Sequence, residues 1–304
     1  MPVSAFGRRA FTRTALAKAK GGRGAGNVRL HGMLKRLLER AAGTGDALIT
    51  RLAPSSDAAT QARALADRRH RPWPVPDRPW VQGQTWLDVL FAHWSLPVEA
   101  LRPVVPSALP LDTFDGGAWL GIVPFEVRGL RARGTPPVPR LSRFPETNVR
   151  TYTTVGGKPG IYFLSLDATN GVAVAVARRT YRLPYFRAHM SLERDGGEVA
   201  YRSRRNAPQA ALALRYRPAG AVFHALPATL EYFLTERYCL YTLDERQRVL
   251  RADIHHVPWP LQPAAGEFEV NTVTAPYGID LPDEQPLLHF AARQDVVIWS
   301  LRLD

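Results

Sequence analysis

The stretch Phe144-Pro-Glu-Thr-Asn-Val-Arg-Thr-Tyr152 places four side chains with binding or acid–base chemistry at alternating positions. In an extended strand every second side chain points to the same face. That face would carry Glu146, Asn148, Arg150 and Tyr152. A guanidinium fork and an amide can hold a carboxylate or a carbonyl, and a glutamate can transfer protons. The same spacing also suits a solvent-facing strand whose side chains pair with neighbouring strands, and both interpretations stay open.

Residues 179–189 show a second set of polar side chains at alternating positions. If this segment is extended, one face carries Arg179, Tyr181, Leu183, Tyr185, Arg187 and His189. Tyrosine hydroxyls and guanidinium groups both donate hydrogen bonds, so such a face could form an anion-binding wall. The alternative is that the rings pack in the core while the arginine side chains extend over them to solvent.

Histidines supply a third group of candidates. His256 lies in Ile254-His-His-Val-Pro-Trp-Pro-Leu-Gln262, where prolines on both sides of Trp259 fix a rigid corner. His256 could line a cavity or stabilise that corner, and the structural role is the preferred interpretation. Adjacent residues of a strand point to opposite faces, so His255 and His256 do not together bind one metal ion. A metal site drawn from distant histidines is an alternative, with ligands among His93, His189, His224 and His289. We predict neither a metal nor a cofactor.

Several common catalytic motifs are missing from the sequence. It has no GxSxG serine-hydrolase elbow, no Walker phosphate-binding loop, no CxxC and no HExxH. The single cysteine, Cys239, lies in an apolar strand-like segment and is interpreted as a buried structural thiol. Serine-hydrolase, nucleotide-dependent and zinc-peptidase chemistries are therefore not expected.

The elements that would position these side chains are mostly short strands bounded by Gly, Pro and Asp. Strands are predicted at 85–94, 118–127, 147–155, 161–167, 185–193, 198–205, 212–217, 238–243, 249–255 and 295–302. Helices are predicted at 28–41, 57–69, 170–178 and 226–236. The run Gly156-Gly157-Lys158-Pro159-Gly160 predicts a hairpin turn. The pattern predicts an α+β fold with a mainly antiparallel, curved or barrel-like sheet and a few scattered helices.

The first part of the chain differs from the rest in charge. Residues 1–70 hold 14 basic and 4 acidic residues, whereas the remaining 26 basic and 23 acidic residues nearly balance. We predict a basic, largely disordered or weakly helical extension over 1–79, with disorder over 1–27 and a Pro-rich linker over 71–79. Residues 80–304 are predicted to form a single β-rich domain. The extension could hold nucleic acid or an anionic membrane surface, or it could be a solvated tail.

Signals of cellular location are few. One cysteine excludes an internal disulfide, which suits the reducing cytoplasm. No apolar run reaches the length of about 18 residues that a membrane-spanning helix needs. Arg8-Arg9 resembles the start of a twin-arginine signal, but no apolar segment follows it, so export is not expected. We predict a cytoplasmic protein.

Six motifs together resemble one protein family. They are Phe91-Ala-His-Trp94, Leu101-Arg-Pro-Val-Val-Pro106, Leu111-Asp-Thr-Phe-Asp-Gly-Gly-Ala-Trp-Leu-Gly121, Glu146-Thr-Asn-Val-Arg-Thr-Tyr152, Tyr181-Arg-Leu-Pro-Tyr185 and His256-Val-Pro-Trp-Pro-Leu-Gln-Pro263. Taken jointly, they resemble the YqjF-like bacterial proteins, a family of unknown function (domain of unknown function 2071). The resemblance covers the chain from about Trp80 to the C-terminus.

The YqjF-like proteins are in turn distantly similar to acetoacetate decarboxylase, which implies a cone-like β-barrel around a ligand cavity. The decarboxylase needs a lysine that forms a Schiff base. Tyr185 and Phe186 stand where the resemblance would place lysines, and Lys158 belongs to a glycine-rich turn, so a Schiff-base mechanism is not expected. Glu146, two residues after Phe144, resembles the active-site glutamate of that superfamily.

The sequence therefore predicts a cavity for a small organic acid or carbonyl compound, with Glu146 as the candidate catalytic residue. The candidate ligand-binding residues are Asn148, Arg150, Arg179, Tyr181, Tyr185, His189 and His256. One hypothesis is a lyase-like enzyme that uses no Schiff-base lysine, and another is a non-catalytic binding or sensor protein. A third hypothesis is a protein that binds nucleic acid or a membrane surface through residues 1–70. The oligomeric state is left open, a homo-oligomer included.

Overall fold

The computed structural model describes residues 23–304, and the predictions for residues 1–22 lie outside that range. The helices are α1 (Arg23–Leu52), α2 (Asp57–Ala64), α3 (Val98–Leu101), α4 (Gly171–Tyr181) and α5 (Leu230–Thr235), with short 3-10 helices at Arg102–Val104 and Ala275–Tyr277. The strands are β1 (Gln82–Leu96), β2 (Thr113–Phe114), β3 (Gly117–Ala132), β4 (Phe144–Val155), β5 (Lys158–Ala168), β6 (Tyr185–Arg187), β7 (His189–Asp195), β8 (Glu198–Arg205), β9 (Ala210–Pro218), β10 (Cys239–Leu243), β11 (Val249–His255), β12 (Gln262–Asn271), β13 (Leu287–Ile298) and β14 (Arg302–Leu303). Strands dominate the described part of the chain, which confirms the predicted sheet-based architecture with few helices.

The strands form one largely antiparallel sheet. Twelve of them follow the order β14-β11-β10-β5-β4-β3-β1-β13-β12-β9-β8-β7, while β2 attaches to β3 and β6 attaches to β5. The pairings of β5 with β6 and with β10 are parallel. β13 also pairs with β11, through Ile254 with Ile298 and His255 with Val297. The succession of pairings from β13 through β1, β3, β4, β5, β10 and β11 therefore returns to β13.

β4 and β5 form the hairpin that the glycines predict. Val155 pairs with Lys158 across Gly156 and Gly157, whose φ angles of 55° and 71° cost glycine little. On its other side β4 pairs with β3, so it is a central strand. The backbone that carries the polar side chains of β4 is thus fixed by hydrogen bonds to both neighbours.

Side chains of β4 point alternately to an apolar core and to the opposite, polar face of the strand. The hydroxyl of Thr147 donates to the hydroxyl of Tyr201 on β8 at 3.0 Å. Val149 packs with Leu164 and Tyr201 in a large apolar cluster. One face of β4 therefore contacts the core under β8 and β9, and the polar face points away from it.

The segment 179–189 is not one extended strand, contrary to the prediction. α4 continues through Tyr181, Arg182 has a φ of 51°, and Tyr185–Arg187 forms β6 beside β5. Successive residues of a helix are rotated by about 100°, so Arg179 and Tyr181 do not share a face as they would in a strand. The helix continues because the Tyr181 side chain is buried against Leu183 and other apolar residues.

The described region before residue 80 contains the two helices α1 and α2, and residues 65–79 are neither helix nor strand. α1 is longer than the predicted helix 28–41 and includes residues 23–27, for which the sequence predicts disorder. α2 packs on the sheet: Gln61 Nε2 donates to the carbonyl of Gly129 at 3.0 Å and to Thr85 Oγ1 at 3.2 Å. The division of the chain near residue 80 stays a prediction. None of the helices within residues 23–304 has the length and apolar composition needed to cross a bilayer.

The strands near the C-terminus differ from the prediction. β13 spans Leu287–Ile298 where the sequence predicts a strand at 295–302, and β12 is not predicted. β12 contains Pro263 and Gly266 and has few buried side chains, so it lacks the alternating apolar pattern of a recognisable strand. Its pairing with β9 over residues 264–271 fixes it in place.

Candidate functional site

A cavity of about 80 Å³ lies on the polar face of β4. Its polar lining residues are Gln82, Gln84, Glu146, Asn148, Arg150, Tyr181, Tyr185 and Trp259. Much of the remaining wall is aromatic or aliphatic, with Phe91, Phe125, Phe163, Leu166 and Ile254 among its residues. This volume holds several water-sized groups, which corresponds to a molecule of a few non-hydrogen atoms. A mainly apolar hollow with a few convergent polar groups has the usual form of a small-ligand site.

Glu146 is the only acid among the described lining residues. The hydroxyl of Tyr185 donates to Glu146 Oε2 at 3.1 Å. Burial raises the pKa of Glu146 to about 8, the nearby Asp167 carboxylate also raises it, and the hydrogen bond from Tyr185 partly opposes both. Near pH 7 the carboxyl is therefore mostly protonated and can donate a hydrogen bond or a proton.

Arg150 is the only cation among those lining residues and is 7% exposed. Its Nη2 donates to the carbonyl of Leu234 at 3.1 Å, and its guanidinium lies 5.3 Å from the ring centre of Phe91. Its Nε is buried and has no hydrogen-bond partner among the described residues. No described carboxylate lies within ion-pair distance of it. Arg150 is therefore a buried cation with an open donor and no counter-ion in residues 23–304.

Two further lining groups have open hydrogen-bonding atoms. The Oδ1 atom of Asn148 and the Nε1 atom of Trp259 are buried, and the described residues offer neither a partner. The indole of Trp259 is held by Trp86, stacked at 6.0 Å, and by the edge of Phe91 at 4.8 Å. Polar groups on rigid supports around a hollow can orient a ligand.

Tyr181 and Tyr185 supply phenol groups from α4 and β6. Burial raises the pKa of both hydroxyls, and the charge of Glu146 raises that of Tyr185 further. Both phenols are therefore neutral donors over the physiological pH range.

Tyr152 shares the face of Glu146 in β4 but lies beyond the cavity wall. Its hydroxyl and His93 Nε2 are 2.6 Å apart, and the Arg237 guanidinium lies 5.0 Å from its ring centre. Burial lowers the pKa of His93 well below its usual value, and the neighbouring Arg150 lowers it further. His93 is thus a neutral core histidine that supports the Arg150 side of the site.

The structure brings together five of the eight site residues predicted from the sequence. Glu146, Asn148, Arg150, Tyr181 and Tyr185 line the cavity. Arg179, His189 and His256 lie outside the cavity wall.

Of the three residues outside the cavity, two are exposed and one is buried. Arg179 is exposed on α4, and His189 is exposed at the start of β7. His256 is buried, its Nδ1 lies 2.8 Å from the carbonyl of Val257, and its ring stacks on Tyr238 at 4.6 Å. These contacts connect His256 to the segment that leads into the proline corner.

Three residues that line the cavity were not predicted from the sequence, namely Gln82, Gln84 and Trp259. The two glutamines alternate at the start of β1, which is the same signal that identified β4. Gln84 Oε1 accepts from Trp86 Nε1 at 2.6 Å, so one of them is already engaged. Apart from the flanking prolines, the sequence around Trp259 has no feature that would identify it as a lining residue.

Residues 23–304 contain one cysteine and no cluster of metal-ligating side chains. No three His, Cys, Asp or Glu side chains of that range converge as a metal site would require. Cys239 is buried, and burial raises the pKa of its thiol to about 12, so it is not an activated nucleophile.

Comparison with known proteins places the chain in a family. Residues 83–295 match the family profile of the uncharacterised conserved proteins DUF2071. The chain belongs to the DUF2071 family. The uncharacterised protein YqjF of Bacillus subtilis (strain 168) is 52% identical over 229 residues, which cover 75% of this chain and 94% of the relative. The resemblance inferred from the six motifs is thereby confirmed.

Solved structures share the fold of this DUF2071 member. The enduracididine biosynthesis enzyme MppR complexed with pyruvate has a TM-score of 0.54 and 12% identity, covering 77% of this chain and 93% of MppR. An acetoacetate decarboxylase has a TM-score of 0.51 and 14% identity, covering 79% of this chain and 96% of the other. At these identities the comparison establishes an acetoacetate decarboxylase-like fold.

In this DUF2071 protein, Tyr185→Phe is expected to raise the pKa of Glu146 above about 8. The Tyr185 hydroxyl stabilises the ionised carboxylate, and phenylalanine keeps the ring but cannot donate. Carbon-13 NMR titration of labelled glutamate carboxyls measures the value, with Glu146→Gln used to assign the signal. A pKa that stays unchanged or falls would disprove the stabilising role of this hydrogen bond.

Proposed function

We propose that the cavity binds a small organic acid or carbonyl compound, with Arg150 and Asn148 holding its carboxylate or carbonyl group. The observation that carries this proposal is that Arg150 Nε and Asn148 Oδ1 are buried and lack partners in the described part of the chain. Buried polar atoms in folded proteins are nearly always hydrogen-bonded, so such atoms on a cavity wall favour a ligand that completes them. The Asn148 amide can present either its oxygen or its nitrogen.

The charge of the wall favours an anion. Near pH 7 Glu146 is mostly neutral, because its pKa is raised to about 8, whereas Arg150 is the one charged group among the described lining residues. A buried cation without a counter-ion is unfavourable, and a carboxylate would supply that counter-ion.

The spacing of the polar groups sets the orientation of the ligand. Alternate residues of a strand are about 6.6 Å apart, so the Cα atoms of Glu146 and Arg150 are separated by roughly 13 Å, with Asn148 between them. A small acid held at Arg150 would direct its other end towards Glu146.

In this proposal Glu146 transfers the proton in a lyase-like reaction. As a carbon–carbon or carbon–oxygen bond of the bound ligand breaks, the protonated carboxyl would deliver its proton to the atom that keeps the bonding electron pair. The Tyr185 hydroxyl would stabilise the carboxylate left behind. No lysine stands among the described lining residues, so the proposed chemistry needs no Schiff base. MppR has been solved with pyruvate, so 2-oxo acids are suitable first probes. The closed succession of strand pairings would form the wall of a cone-like barrel around the site.

A non-catalytic binding or sensor protein is the second candidate. The mainly apolar wall and the fully formed hydrogen bond between Tyr185 and Glu146 suit retention of a ligand as well as catalysis. Product formation with a pH–rate profile that follows Glu146 favours the enzyme, whereas tight binding without product favours the sensor.

Binding of pyruvate or acetoacetate is expected to weaken as the pH rises through about 8, the value to which burial raises the pKa of Glu146. Below that pH the carboxyl is neutral, and above it the carboxylate repels the anionic ligand. At a separation of about 7 Å and an effective dielectric constant of about 20, this repulsion is about 2 kcal/mol, or about 10- to 50-fold in affinity. Isothermal titration calorimetry from pH 6.5 to 9.5 measures this change in affinity.

Glu146→Gln is the control for that titration, because glutamine cannot ionise. The affinity of the variant is expected to vary little with pH. If the natural protein binds no small acid at any pH, or if its affinity rises above pH 8, the proposed function is wrong.

The hypothesis that residues 1–70 bind nucleic acid or an anionic surface remains a separate proposal. The cytoplasmic location and the absence of a cofactor likewise remain predictions from the sequence.

A further inference from the structure

An apolar groove of about 550 Å³ lies beside the cavity, between α4, the end of β3 and residues 133–142. Its apolar lining residues are Val81, Leu130, Ala132, Pro136, Val138 and Leu141. Val138 is 56% exposed and Leu141 is 42% exposed. The groove therefore presents apolar side chains to solvent, an arrangement that often marks a binding surface.

The groove and the cavity share part of their walls. Gln82, Ala177 and Tyr181 line both spaces. Gln82 is the first residue of β1, and the other two residues lie on α4. These three residues thus form part of the partition between the polar cavity and the apolar groove.

The charged group nearest to the groove is already neutralised. Arg131 lines the groove, but its Nη1 donates to Asp46 Oδ1 at 2.7 Å and its Nε donates to Gln61 Oε1 at 2.9 Å. The groove therefore offers apolar contact, whereas Arg150, whose Nε has no partner among the described residues, lines only the cavity.

We propose that the groove holds the alkyl or aryl chain of the ligand whose carboxylate is bound at Arg150. This inference rests on the proposed function and narrows the substrate class to amphiphilic carboxylic or 2-oxo acids with a chain beyond the first few carbons. Side-chain rotation of Gln82 and Tyr181 would open the partition, with the small side chain of Ala177 leaving room for the chain. The occupant is a ligand tail, because the groove shares three wall residues with the cavity that contains the proposed head-group site.

Straight-chain 2-oxo acids of three to ten carbons, titrated into the full-length protein by calorimetry, test the inference. Beyond the carbons that fill the cavity, each added methylene is expected to increase the affinity about two- to fourfold, since full burial of a methylene gives about fourfold. Leu141→Asp is expected to remove this gain and to leave pyruvate affinity within about twofold. Val138→Asp should act in the same way, and Leu226→Asp, at an exposed leucine outside the groove, is the matched control.

Each outcome decides between the two proposals. If pyruvate binds but affinity does not grow with chain length, or if the growth persists in both groove variants, the tail groove is disproved and the proposed function stands. If no acid of the series binds, the proposed function fails and the tail groove with it. A groove occupied by a second copy of the chain would show as dimerisation that Leu141→Asp abolishes, and this too would overturn the inference.

Discussion

Arg150→Met is expected to weaken the binding of a small carboxylate by about 30-fold to several thousand-fold. Truncating one partner of a buried, hydrogen-bonded charge pair typically costs about 2–5 kcal/mol. Arg150 is the cation among the described lining residues, and its buried Nε has no hydrogen-bond partner in residues 23–304. Methionine keeps a similar unbranched shape but neither donates nor carries charge. Calorimetric titration with pyruvate at pH 6.5 measures the loss.

Two comparisons show whether the loss of affinity comes from the lost contact. The fold of Arg150→Met is expected to persist, because the buried guanidinium forms no ion pair with any carboxylate of residues 23–304, and thermal unfolding checks this. Arg217→Met removes an exposed arginine of β9 and should leave affinity unchanged. Equal binding by the natural protein and Arg150→Met would contradict the assigned head-group site.

Glu146→Gln is expected to stabilise the protein at pH 8 by about 3–6 kcal/mol more than at pH 4.5. The folded-state pKa of Glu146 is raised to about 8 from an ordinary value of 4.5, mainly by burial. The folded protein therefore holds the proton more tightly than the unfolded chain. This contribution to stability is complete below pH 4.5 and is lost by about 1.4 kcal/mol per pH unit until pH 8. Glutamine cannot ionise, so the variant does not lose this contribution to its stability between pH 4.5 and pH 8.

Urea unfolding of both proteins at pH 4.5, 6.5 and 8 gives the required differences in free energy. Asp167, whose pKa burial raises to about 6, titrates in both proteins and largely cancels in the comparison. Glu193→Gln, which changes an exposed glutamate of β7, is the matched control. A Glu146→Gln difference that is constant with pH would show that the carboxyl is not held in its protonated form.

The polar face of β4 could be predicted from the sequence because the relevant signal is local. Period-two alternation and the Gly156-Gly157 turn together define the strand and its two faces, and the structure confirms both. The sequence could not decide whether that face meets water or a cavity. That choice depends on β1, α4 and β11, which come from distant parts of the chain and lie opposite the strand.

The segment 179–189 shows how a local pattern can mislead. Its alternation predicts one continuous wall, but α4 continues to Tyr181 and the chain turns at Arg182. Tyr181 and Tyr185 still reach the cavity, from a helix and a short strand, whereas Arg179 points outward. The residue at which a helix ends depends on whether the side chains of its last turn pack in the core. The pattern of residue types alone does not specify that packing.

A crystal structure of the protein with a bound 2-oxo acid would show whether Arg150 holds the head group. We expect the carboxylate to lie in the cavity, with one oxygen about 2.7–3.2 Å from Arg150 Nε and the other end of the molecule directed towards Glu146. An acid bound outside the cavity, or a cavity in which Arg150 does not contact the carboxylate, would disprove the assigned head-group site.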